Sequence, residues 1–123
     1  MQFTPHQKLL FLLNATVLIT HQIDAAFWHE WELFHIPGGN QVNLLLNLPI
    51  IALVLYAQAQ VAAGSPKAGG YYTLIAGLGY LTVLIHSGFF LAGSEEFLQP
   101  MSIALLIATA ALSTLQLVAL RVR

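Results

Sequence analysis

From His21 to His35 the chain carries three of its five acids, three of its five histidines and both of its tryptophans. His21 and Asp24 stand about one helical turn apart, the spacing at which a carboxylate orients an imidazole. Away from water such a pair suits proton transfer on a small apolar or lipid molecule. With His86 as second imidazole, the same groups form a His/carboxylate set for a divalent metal with an open position. The candidate catalytic residues are therefore His21, Asp24, His86 and Glu32, and the candidate metal ligands are His21, Asp24 and His86. Trp28, Trp31, Asn43 and Asn47 are candidates for touching a ligand. The plainer alternative is a structural His21–Asp24 hydrogen bond, with the tryptophans as interfacial anchors and the asparagines as interhelical contacts.

The surroundings of these residues are apolar. Hydrophobic residues make up 58% of the 123 positions and charged residues only 7%, against about 25% charged in soluble domains. Nine charges cannot cover the surface of a soluble domain, so composition implies a multi-pass membrane protein with the lipid bilayer as its main partner. Four Lys/Arg against five Asp/Glu leave no basic patch for nucleic acid. Without cysteine there is no disulfide, thiolate nucleophile or Cys-ligated cofactor, and any metal must take His and carboxylate ligands.

Breakers divide the chain into four apolar segments. The first begins at Thr4-Pro5, a cap followed by a first-turn proline, and is expected to run to Phe34 or His35, before Pro37-Gly38-Gly39. The second opens at Asn40 and ends near Ala63, with a bend expected at Pro49. The third ends near Ala92, with Gly77, Gly79 and Gly88 suited to close helix approach, and the fourth starts at Pro100. Short loops make neighbours antiparallel. The expectation is an all-α, up-down-up-down four-helix transmembrane bundle in one domain over residues 1–123, with spans at 8–30, 41–63, 70–92 and 98–120. Lys8, Lys67, Arg121 and Arg123 fall on one side and Glu30, Glu32, Glu95 and Glu96 on the other. The positive-inside rule then puts both termini in the cytoplasm.

At about 100° per residue each helix carries one polar or small stripe. On the first it comprises Asn14, His21, Asp24, Trp28, Trp31, Glu32 and His35, while Glu30 lies opposite and His29 to the flank. Asn43, Asn47 and Gln58 share a face of the second, and Tyr72, Gly79, Thr82, His86 and Gly93 a face of the third. On the fourth they are Ser102, Thr109, Ser113 and Gln116. His21 and His86 lie within about a turn of the same depth, so His21, Asp24 and His86 are expected to converge with Glu32 at the mouth. His29 and Glu30 are expected to be the least involved. They open an apparent H-E-x-x-H zinc motif, but position 33 is Leu33 and His35 comes two residues late.

The run His21-x-x-Asp24-x-x-x-Trp28-His29-Glu30-Trp31, with Pro37-Gly38-Gly39 and then Asn43-x-x-x-Asn47-x-Pro49, resembles a family of small, uncharacterised bacterial four-helix membrane proteins. That resemblance spans nearly the whole chain and implies the topology and a bacterial inner membrane as the location, but carries no activity. The His21/Asp24 spacing is also loosely similar to the HxxEE group and to emopamil-binding, sterol-isomerase-like proteins, with Asp in place of Glu. Two further readings use the same residues. One is a non-catalytic accessory subunit with a membrane-protein partner and a structural His/Asp pair; the other is a small transporter assembled as a homo-oligomer.

Overall fold

The computed structural model describes residues 2–122. It contains α1 (Pro5–Phe27), α2 (Glu30–Leu33), α3 (Gly39–Ala63), α4 (Ala68–Leu91) and α5 (Pro100–Arg121). The four long helices are each long and apolar enough to cross a membrane. Arg123, counted above among the basic charges, lies outside the described residues.

Local signals account for most helix ends. Thr4 and Gln7 form a reciprocal capping box, Gln7 N–H to Thr4 Oγ1 at 3.2 Å and Thr4 N–H to Gln7 Oε1 at 2.9 Å, with Pro5 behind it. Pro100 occupies the first turn of α5, and α3 runs unbroken through Pro49. Gly38 starts α3 at φ 112°, where a Cβ would also meet the Val42 side chain.

The first span departs from expectation. It ends at Phe27, Trp28 leaves helical geometry, and His29 is left-handed at φ 53°. The chain then reverses into the separate four-residue α2, and His35, at φ 57°, closes it. No proline or glycine marks this break. It buries Trp31, which is 7% exposed, under a cover that a straight helix would have carried away from the bundle.

α1 and α4 both pack along α5, and α3 packs on α1 and α4 from the other side without touching α5. α1 and α4 therefore form the short diagonal of the bundle. Near the basic end they close on an apolar cluster built around Phe3, Phe11, Val54, Val61, Tyr72 and Ile75. Beside it runs a polar seam. Asn14 Nδ2 donates to Ser113 Oγ at 3.0 Å and to Gln116 Oε1 at 2.6 Å, and Thr109 donates to Asn14 Oδ1 at 2.8 Å. Gln116 Nε2 donates to the Tyr72 carbonyl at 3.2 Å. In lipid such bonds hold helices together, because apolar packing between helices has no water to escape.

The α4–α5 approach depends on one glycine. A Cβ at Gly79 would collide with the Ser113 and Thr109 hydroxyls, whereas Gly77 and Gly88 have open space, so only Gly79 of the three expected glycines serves close packing. Gly79→Leu is expected to destabilise the protein by about 1–3 kcal/mol, read by thermal unfolding in detergent, and Gly77→Leu to leave it near wild type. Equal stability of the two variants would refute the close-approach role.

Candidate functional site

Two of the three side chains that meet at the α2 end of the bundle ride on long helices. His21 of α1 and His86 of α4 are both buried, with ring centroids 4.5 Å apart and planes at 86°. The third is Glu30, in the first turn of α2. On a continuous helix it would lie about 180° from His21, nine positions on. The left-handed residue His29 cancels that rotation and turns Glu30 back over the imidazoles. Glu30 Oε2 lies 3.9 Å from His21 Nε2 and Oε1 3.7 Å from His86 Nε2, so each carboxyl oxygen faces one ring. The expectation that Glu30 is among the least involved residues is thereby corrected.

The protonation pattern of His86 follows from its neighbour. Nδ1 lies 2.8 Å from the Thr82 carbonyl, which can only accept, so Nδ1 carries the hydrogen. In the neutral ring Nε2 is then a bare lone pair, and it is buried without a hydrogen-bond partner. A lone pair thus faces a carboxyl oxygen in a largely buried site. Two acceptors opposed in this way call for something positive between them, a metal ion or a proton. The fixed tautomer is also the one a metal requires, with the outer nitrogen held by a carbonyl. Donor atoms of His21, Glu30 and His86 all lie within 4.8 Å of one another. A tetrahedral ion with bonds of about 2.0 Å sets its donors about 3.3 Å apart, so binding requires them to draw in modestly.

The other candidates are distributed around this cluster. Asp24 is not part of the three-residue group: its Oδ1 accepts from Trp28 Nε1 at 3.1 Å, and Oδ2 is buried without a hydrogen-bond partner. Its influence falls on Glu30. Burial, with the Asp24 carboxylate adding to it, pushes the Glu30 carboxyl up to about 7. Glu32 lies on the outer side of α2, 69% exposed and 3.8 Å from His29. Trp31, Asn43 and Asn47 line a cavity with the cluster at one end. Phe97 carried no sequence signal beyond its apolarity. Left-handed at φ 66° and fully buried, it places its ring 4.5 Å from that of His86 and 5.7 Å from that of His21.

The cavity measures about 370 Å³ and lies between α1, α3 and α4 beneath α2. Apart from the cluster and the asparagines its walls are mainly aliphatic, including Ile19, Leu46, Ile50, Val54, Leu81 and Ile85. Leu46 and Ile50 of α3 and Leu81 of α4 are also exposed, so it opens sideways between these helices, at the level of the apolar spans.

A family model matches residues 7–123, from the first turn of α1 to the end of the chain. The chain belongs to the family of unknown function DUF6713. No curated protein and no solved structure matches it. For this DUF6713 member, function must be argued from the site itself.

One property of that site is directly readable. At about pH 6 a carboxyl titrating near 7 is mostly protonated. The metal-free protein is expected to show an infrared carboxylic C=O band that fades as the pH passes through about 7 and is missing in Glu30→Gln. Identical wild-type and variant spectra across that range would mean that Glu30 is ionised throughout.

Proposed function

We propose that this membrane protein binds one divalent transition-metal ion through His21 Nε2, His86 Nε2 and a Glu30 carboxyl oxygen. The observation that carries the proposal is the bare His86 nitrogen facing a carboxyl oxygen at 3.7 Å inside a buried site. Two imidazoles and one carboxylate suit zinc or ferrous iron and leave coordination positions free. The three residues line the apolar cavity, where a bound ion would supply Lewis-acid chemistry to a ligand held there. Asp24 contributes its charge near Glu30 rather than a bond to the metal. The alternative supported by the upward shift of Glu30 is a proton shared between Glu30 and His86.

Zinc content after loading and dialysis of the detergent-purified protein separates the two. The expected result is one zinc per chain, with His21→Ala, His86→Ala and Glu30→Gln each losing more affinity than the roughly 10–100-fold that removal of an outer partner costs. Asp24→Asn and Glu32→Gln are expected to retain the ion. Absence of zinc from the wild type, or full zinc in both His86→Ala and Glu30→Gln, would rule out the metal site.

We further propose that the α2 end faces away from the cytoplasm, because Lys8, Lys67 and Arg121 lie at the opposite end. The chain has no cysteine, so single introduced thiols report sidedness cleanly. In intact cells Ser94→Cys should react with a membrane-impermeant maleimide and Ser65→Cys should not; the reverse pattern would invert the topology.

A further inference from the structure

Asn43 and Asn47 of α3 line the same cavity as the three-residue cluster. Asn47 Nδ2 donates to the Asn43 carbonyl at 2.9 Å and to Asn43 Oδ1 at 3.0 Å. A backbone carbonyl only accepts, so the orientation of the Asn47 amide is fixed and both its hydrogens are engaged. Its Oδ1 is left buried without a hydrogen-bond partner. Asn43 Nδ2 in turn donates to Asn40 Oδ1 at 3.3 Å. A residue that lines the cavity on its α3 side thus carries a buried acceptor with its neighbouring donors occupied. A buried acceptor with no donor is costly, and the group that enters must supply a hydrogen.

The cluster side makes the complementary demand. On the metal-binding reading, an ion held by His21, Glu30 and His86 would have open positions that take a lone pair, such as that of an oxygen. A single group that served both would present a lone pair in one direction and a hydrogen in another. A hydroxyl does both. A carboxylate, ester, ether or ketone lacks the hydrogen, and an alkylammonium lacks the lone pair. The rest of the cavity is aliphatic and opens sideways between α3 and α4, so the rest of the ligand is an apolar chain arriving from within the bilayer. The volume of about 370 Å³ falls within the usual range for small-molecule sites.

We infer that the cavity takes a long apolar molecule ending in a single hydroxyl, whose oxygen faces the His21/Glu30/His86 group and whose hydrogen is donated to Asn47 Oδ1. This assignment rests on the metal-binding reading for the role of the oxygen and on Asn47 for that of the hydrogen. The two have separate readouts.

The test uses the full chain in nanodiscs, with zinc content measured first on the same preparation. A long-chain primary alcohol, its methyl ether and the fatty acid of equal length are competed against a diazirine-bearing alcohol for photocrosslinking. The alcohol is expected to compete at least about tenfold better than the ether or the acid, the scale of one hydrogen bond lost with its buried acceptor left unpaired. Asn47→Leu is expected to remove most of that preference at unchanged zinc content. The comparison of alcohol with ether is made on the unchanged protein and stands even if the variant fails to fold. Ile50→Trp, which fills the cavity, is expected to abolish saturable crosslinking.

Equal competition by alcohol and ether in zinc-loaded protein would overturn the hydroxyl assignment while leaving the metal site intact. An alcohol preference that persists in folded Asn47→Leu would overturn the role of Asn47. An alcohol preference in protein that takes up no zinc would overturn the metal reading alone.

Discussion

Two hydrogen-bond acceptors, the bare and buried Nε2 of His86 and a carboxyl oxygen of Glu30, face each other at 3.7 Å. Left to themselves they repel, and a low-dielectric setting offers no screening. Much of the acidic end of the bundle is arranged around holding them there. The Thr82 carbonyl fixes the imidazole tautomer, α2 delivers the carboxyl, Phe97 walls the pair off, and the indole of Trp28 holds Asp24 aside.

The opposite end follows another logic. There the polar groups of Asn14, Thr109, Ser113 and Gln116 satisfy one another, and apolar packing around Phe11 and Tyr72 completes the contact. A satisfied network rigidifies, whereas unsatisfied acceptors await a partner. The bundle is thus built on one half and chemically open on the other. Gly79 lies at the join, letting α5 approach α4 closely enough for the seam to form.

The four spans were legible because Pro5, Pro37-Gly38-Gly39, Gly64-Ser65-Pro66 and Pro100 punctuate the apolar runs. The inward faces of α4 and α5 were legible for the same kind of reason: Tyr72, Gly79 and His86, and Ser102, Thr109, Ser113 and Gln116, recur at helical spacing and are buried. Depth counting also put His21 and His86 at one level, and their rings lie 4.5 Å apart. Glu30 was not legible. A helical wheel assumes an unbroken helix, and the residue that breaks it is a histidine in a left-handed conformation, with no glycine, proline or asparagine to announce it. Phe97 escaped for the same reason, being a left-handed aromatic residue in a loop. In both cases tertiary burial overrides local preference, and a one-dimensional pattern does not carry that information.

The strained backbone at His29 and His35 has a mechanical meaning. Two of the three side chains of the cluster are anchored in helices of 23 and 24 residues, while the third rides on a four-residue arm with a left-handed residue at each end. Each such conformation costs on the order of 1–2 kcal/mol for a side chain with a Cβ, so the arm is held down by what it covers rather than by its own helicity, which four residues cannot sustain. Its own contribution is the two carboxyl contacts of Glu30 and the burial of Trp31, while the four long helices pack on one another without it. The cluster is therefore assembled from two side chains on a rigid frame and a third on a short arm, and the element with the least helical support of its own is the one that completes the site.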